Sequence, residues 1–145
     1  MSSFTIVKAT ESELLDRGSG IKTLSLITPM SLPDAEFTTG ISTYPVGQGA
    51  PLHSHDVDEQ VTLLSGQRQV EVEGRTWVLG EHDTTYIPGD TEHAFRNTGN
   101  SPMTILWIYA SNKVTRRFSG SDEEVEHLST ADMMSEEMPG SRLAI

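Results

Sequence analysis

The chain has 145 residues, no cysteine, and 10 Lys+Arg against 21 Asp+Glu for a formal net charge of -11. That length suits one domain with a real hydrophobic core. The absent thiols exclude disulfides, thiolate metal sites and cysteine nucleophiles, and the negative balance fits poorly with a nucleic-acid backbone. No stretch approaches the roughly 18 uninterrupted apolar residues of a membrane span. Residues 1–18 lack the basic-then-apolar pattern of a secretion signal. The expectation is a soluble, cytoplasmic protein that binds neither nucleic acid nor membrane.

In chain order, the dominant pattern is short and β-like. Residues 4–8, 21–28, 37–44, 59–65, 68–74, 75–80, 84–88, 92–97, 103–110 and 113–118 are rich in Val, Ile, Thr and aromatics. Gly, Pro, Asn, Asp or Ser bounds each run, which is the punctuation expected between strands. So many short strands predict an all-β sandwich or barrel. Two weak helical segments accompany them, at residues 9–18 and 129–138, the second capped by Ser129 or Thr130. Residues 122–137 carry seven acids and no lysine or arginine. The predicted organisation is therefore one domain over residues 1–120 and a solvated acidic tail over 121–145.

The chemistry concentrates in "PLHSHDVDEQ", residues 51–60. Side chains alternate between the faces of a strand, so His53, His55 and Glu59 share a parity and Gln60 takes the opposite one. Two imidazoles and a carboxylate turned into one interior cost several kcal/mol unless something compensates them, and a divalent cation does so directly. A further ligand is expected from a neighbouring strand.

Gly47, five residues, His53-Ser54-His55, three residues, Glu59, six residues and Gly66 reproduce the spacing G(X)5HXH(X)3E(X)6G without a gap. This resembles the first motif of the cupin superfamily. Residues 86–97, "YIPGDTEHAFRN", resemble its second motif, G(X)5PXG(X)2H(X)3N, at Pro88, His93 and Asn97. His82 and Asp90 stand where that motif has its two glycines. The likeness covers roughly residues 40–110. It implies an antiparallel double-stranded β-helix, the jelly-roll barrel, with His53, His55, Glu59 and His93 as ligands of one divalent transition metal ion. It also implies Gly47 and Gly66 as turn residues and Asn97 as a strand cap. Many small cupins are dimers, so a homodimer is expected.

Three imidazoles and one carboxylate suit Mn, Fe, Ni, Co or Zn. Four protein ligands on an octahedral ion leave two adjacent positions for substrate oxygens or for dioxygen, and Glu59 could detach to act as a base. Val61 and Leu63 continue the inward parity of Glu59, and Phe95 lies two residues beyond His93. Trp107 and Tyr109 share one face, Leu106 and Ile108 the other. Val61, Leu63, Phe95 and Trp107 are the candidate substrate contacts. Arg68 and Arg96 take the outward parity, and His82 and His127 read as surface residues, so no basic cluster is expected inside. The preferred ligand on that reading is a small, neutral, aromatic or enolisable molecule. Dioxygenase-type oxidative cleavage is the first expectation; a non-oxidative isomerase, lyase or decarboxylase, and a non-catalytic binding or sensor module, are the alternatives.

Overall fold

The structure is a computed structural model, and it describes residues 4–129 and Asp132. Its strands are β1 (Leu14–Asp16), β2 (Lys22–Ile27), β3 (Thr38–Tyr44), β4 (Gly49–His55), β5 (Glu59–Ser65), β6 (Arg68–Val72), β7 (Arg75–Leu79), β8 (Thr84–Ile87), β9 (His93–Arg96), β10 (Met103–Tyr109), β11 (Thr115–Phe118) and β12 (Glu124–Glu126). All the pairings are antiparallel. They build two six-stranded sheets, in the orders β1-β2-β3-β10-β5-β8 and β12-β11-β4-β9-β6-β7. This is the all-β, jelly-roll architecture expected from the sequence.

Strict alternation explains why these segments are strands. In β3 and β10 every second side chain is buried, so each presents one apolar or small-polar face to the interior. The core draws on both sheets: Val61, Leu63, Ile105 and Trp107 come from one, Ala50, Val70 and Phe95 from the other. Tyr44 and Phe95 meet edge to face across the gap with ring centroids 5.2 Å apart.

Several local expectations give way to tertiary context. Residues 4–8 form no strand, and Phe4 and Ile6 remain exposed. The predicted helix at 9–18 reduces to a single turn, Ala9–Glu11. Beyond it Leu14–Asp16 pairs with β2 through a reversal in which Gly18, Ser19 and Gly20 all have positive φ, and Lys22 reaches Asp16 at 3.0 Å. Sheet pairing outweighs the modest helix preference of "ESELLD". The start of the expected acidic tail is also partly built in, because β12 pairs with β11 and Asp132 is fully buried. The helix expected at 129–138 lies outside the described residues apart from Ser129 and Asp132.

Arg68 is the largest departure. It was expected outside and is fully buried, with Nη1 donating to Thr85 at 3.0 Å and the guanidinium 4.7 Å above the Phe95 ring. The turn at Gly66 and Gln67 resets the alternation, so odd-numbered residues face inward in β5 and even-numbered ones in β6. Parity counted across a turn is not conserved. Arg96 is half-buried, as an outward position allows.

Gly40 shows how tightly the interior is packed. It pairs directly with Trp107, and a Cβ there would lie 2.2 Å from the indole. Gly40→Ala should therefore destabilise the fold by about 1–3 kcal/mol through overpacking. A denaturant midpoint shift, accompanied by a change in Trp107 emission, is the expected outcome; an unchanged midpoint would contradict this packing.

Candidate metal centre

β4 carries His53 and His55, β9 carries His93, and the facing β5 carries Glu59. His53 and His93 are direct register partners, which sets their rings side by side with centroids 4.3 Å apart. Glu59 reaches the same point from the opposite sheet, because the chain crosses between sheets at residues 56–58. Side chains of the crossing hold it in place: Asp58 accepts from the Gly89 amide at 2.8 Å and Asp56 from the Thr115 amide at 2.9 Å. All four side chains are buried, at 1–4% exposure.

The second nitrogen of each imidazole settles its tautomer. His53 Nδ1 lies 2.6 Å from the Pro51 carbonyl, His55 Nδ1 3.2 Å from that of Thr115, and His93 Nδ1 2.8 Å from that of Thr91. A carbonyl only accepts, so each Nδ1 carries a proton, and a neutral ring held this way turns its Nε2 lone pair inward. Ligand atoms of the three histidines lie within 4.8 Å of one another, close enough for one ion to hold all three. His93 Nε2 stands 2.9 Å from Glu59 Oε1 without the alignment of a hydrogen bond, and His55 Nε2 stands 3.5 Å from Oε2. Ligands bound at about 2.0–2.2 Å to a common ion lie roughly 3.0–3.5 Å apart. Buried donors packed this way fit a divalent metal.

The electrostatics point the same way. Burial, reinforced by neighbouring His93 and Arg116, pushes His53 and His55 well below the usual histidine range, so both stay neutral and ready to donate. Burial works against the charge on Glu59, while a proton shared with His93 Nε2 in the metal-free site and the charge of Arg68 favour it and hold its pKa below the usual carboxylate range. Tyr109 is pushed well above its ordinary value by burial and by Glu59, and its hydroxyl sits 3.2 Å from His55 Nε2 as a permanent proton donor.

Around this cluster lies a cavity of about 20 Å³ lined by His53, Glu59, Tyr109, Arg17, Arg116 and His127, with Val61, Phe95 and Trp107 among the apolar walls. Of the expected substrate contacts, Val61, Phe95 and Trp107 thus line the cavity, while Leu63 is buried in the core without lining it. Trp107 is fixed by donating to Ser42 at 2.8 Å, and Ser42 in turn bonds Thr23 at 2.8 Å. Gln60 is exposed, as its parity predicts, and His82 is exposed in its turn.

Two further expectations fail here. His127 is not a surface group: its ring lies 4.8 Å from Tyr109 and 5.0 Å from Trp107, and burial pushes its pKa down to about 3. The interior is also not free of basic groups, since Arg17 and Arg116 line the cavity beside Glu59. Arg116 was legible, because it shares the parity of Phe118 in β11 and of Val114 just before the strand, both buried. Arg17, just beyond β1, carries no such signal, and nothing in the acid run distinguishes Asp132.

The motif positions behave as turns. Gly47 and Gly66 have φ of 84° and 91°; His82 and Asp90, which replace glycines of the second motif, keep the left-handed geometry at 72° and 65°. Asn97 donates to the carbonyls of Tyr44 at 3.1 Å and Ser101 at 2.8 Å, closing the end of its strand.

Residues 40–109 match the family described as cupin domain, and the chain belongs to the cupin superfamily. It is 34% identical over 61 residues to a mannose-1-phosphate guanylyltransferase of Klebsiella pneumoniae, a match covering 42% of this chain and 13% of that protein. It is 26% identical over 99 residues to quercetin 2,3-dioxygenase of Bacillus subtilis, covering 68% of this chain and 29% of the relative. The chain thus spans less than a third of either. The fold of a predicted oxalate decarboxylase from Thermotoga maritima superposes with a TM-score of 0.63 at 18% identity, over 74% of this chain and 99% of that one.

Neutral buried histidines make the metal-free fold acid-sensitive. A histidine whose folded pKa is depressed contributes stability that is present above its unfolded value and lost as pH falls below it. His53 and His55 together should cost roughly 2 kcal/mol between pH 6.5 and 5.5, at about 1.4 kcal/mol per pH unit for each group once protonated in the unfolded chain. Glu59 and Asp132, both held below their ordinary values despite burial, extend the loss below pH 4. Urea midpoints of the metal-free protein across this range should fall; a flat profile from pH 7.5 to 5.5 would contradict the neutral, buried state of these rings.

Proposed function

We propose that this chain is a metal-dependent enzyme acting on a small molecule, with His53, His55, Glu59 and His93 holding one Mn, Fe, Ni, Co or Zn ion. The observation that carries this is the shared tautomer: three Nδ1 protons are tied to backbone carbonyls, which turns three Nε2 atoms toward one another and toward the Glu59 carboxylate, with the Tyr109 hydroxyl beside only one of them. Such an ion supplies Lewis acidity toward substrate oxygens. The protein supplies the rest. Tyr109 donates a proton or a hydrogen bond at the rim of the cluster, Glu59 accepts one if it leaves the ion, and Arg17 and Arg116 face the same cavity.

Those two arginines change the favoured chemistry. A neutral aromatic substrate has no use for them, whereas negative charge developing on an enolate or carboxylate is stabilised by them. A non-oxidative decarboxylase, lyase or isomerase is therefore our first reading. Oxidative cleavage is the second, favoured by the apolar walls of Val61, Phe95 and Trp107 and by the likeness to quercetin 2,3-dioxygenase. We also propose a homodimer, supported by the exposure of Phe4, Ile6 and Leu14 around the N-terminal edge of the first sheet; a monomeric sedimentation profile at micromolar concentration would contradict it.

Metal analysis of protein purified without chelator or affinity metal should find close to one transition ion per chain. Refilling the stripped protein should raise its melting temperature, and His53→Ala or His93→Ala should weaken binding about 100-fold or more. No gain in melting temperature with any of the five ions would overturn the centre. An oxygen-electrode screen of hydroxy acids, diketones and catechols with the iron form then separates the readings: turnover without oxygen uptake supports the first, and stoichiometric uptake supports the second.

A further inference from the structure

Among the described residues, the fully buried charged side chains are Arg17, Glu59, Arg68, Arg116 and Asp132, at 0–4% exposure. Three cations thus face two carboxylates before any metal ion is counted. Asp132 sits between two of the cations: its Oδ2 is 2.9 Å from Arg17 Nη2 and its Oδ1 3.1 Å from Arg116 Nε. Arg17 also donates to the Asp132 carbonyl from Nε and Nη2, at 3.2 and 3.0 Å, and the Leu128 amide donates to Asp132 Oδ2 at 2.9 Å. Buried ion triads of this kind rarely add net stability, because desolvation offsets the attraction. A different use is indicated by where the arginines lie, since both line the cavity that His53 and Glu59 line.

The cavity itself is too small for a substrate. Its volume of about 20 Å³ accommodates one water or ion. The His127 ring, packed against Trp107 and Tyr109, fills the space beside the cluster, and the Asp132 carboxylate occupies the two guanidinium groups. We propose that Arg17 and Arg116 form a carboxylate-binding subsite beside the histidine cluster, and that Asp132 fills it as an internal stand-in for the carboxylate of a ligand. The inference rests on the reading of the cluster as a site for a small molecule. It names that molecule's class as a small carboxylic acid, which enters as Asp132 and His127 withdraw. A carboxylate matches because the present occupant is one, and because its exchange for Asp132 leaves the buried charge unchanged. Binding is then weakened in the intact chain by competition from its own side chain, and the effective affinity falls by the fraction of molecules in which the pair is free.

Malonate serves as the probe, measured against sodium chloride at equal ionic strength on metal-free protein, so the outcome does not depend on loading the centre. Calorimetry should show Asp132→Ala binding malonate at least 10-fold more tightly than the unaltered chain, and malonate should raise the melting temperature of that variant more. The gain should vanish in Asp132→Ala combined with Arg116→Gln. Asp132→Asn, which keeps the shape of the side chain, carries the same comparison if Asp132→Ala fails to fold. In the unaltered pair of residues, with Trp77→Phe removing the second indole, saturating malonate should change Trp107 emission as His127 leaves its ring. Equal malonate affinity with and without Asp132, or Trp107 emission indifferent to saturating malonate, overturns the subsite. Failure of the metal titration with the malonate difference intact would instead remove the metal reading alone.

Discussion

Three hydrogen bonds from imidazole Nδ1 to the backbone carbonyls of Pro51, Thr91 and Thr115 govern the centre of this molecule. Each bond fixes a proton on the outer nitrogen and so turns a lone pair inward, where Glu59 already presents a carboxylate. Four electron-pair donors gathered in a dry interior repel one another. The polypeptide accepts that arrangement because the strands holding it are locked by pairing and by a core drawn from both sheets. A cation bound between them would convert the repulsion into attraction and couple metal binding to the stability of the barrel.

The two-sheet construction is what makes the convergence possible. β4 and β9 place the three histidines on one inner face, and the crossing at residues 56–58 brings Glu59 to them from the other. Glu59 lies on β5, whose neighbour β10 supplies Tyr109 and Trp107, so one pair of strands provides the carboxylate, the phenol and the aromatic wall. The polar line from Arg17 through Thr23 and Ser42 to Trp107 then ties the edge of the first sheet to the same cavity. Structural and chemical roles are thereby shared by the same side chains.

Much of this was legible in the sequence, for reasons that differ by residue. His53 and His55 were readable because they sit two apart on one strand, and His93 because its spacing from Pro88 and Asn97 carries a recognisable pattern. Glu59 shares the parity of His55 and faces the same interior, yet the physical route differs: a turn separates them, and the two inner faces of opposed sheets happen to bring odd-numbered positions together. The same counting failed at Arg68, where the turn at Gly66 shifts the inward register to even numbers. His127 and Asp132 were hidden in an acid-rich run whose composition says solvent, because only pairing of β12 with β11 and the two arginines draws them in. Long-range charge pairing over 115 residues of separation leaves no local trace.

The coordination shell itself is the most direct test. X-ray absorption of the refilled protein, recorded at the edge of the bound ion, should resolve three imidazole nitrogens and at least one carboxylate oxygen at about 2.0–2.2 Å. Removing His93 should delete one of the imidazole scatterers. A shell of oxygen alone, or an imidazole count unaffected by that substitution, would contradict the account.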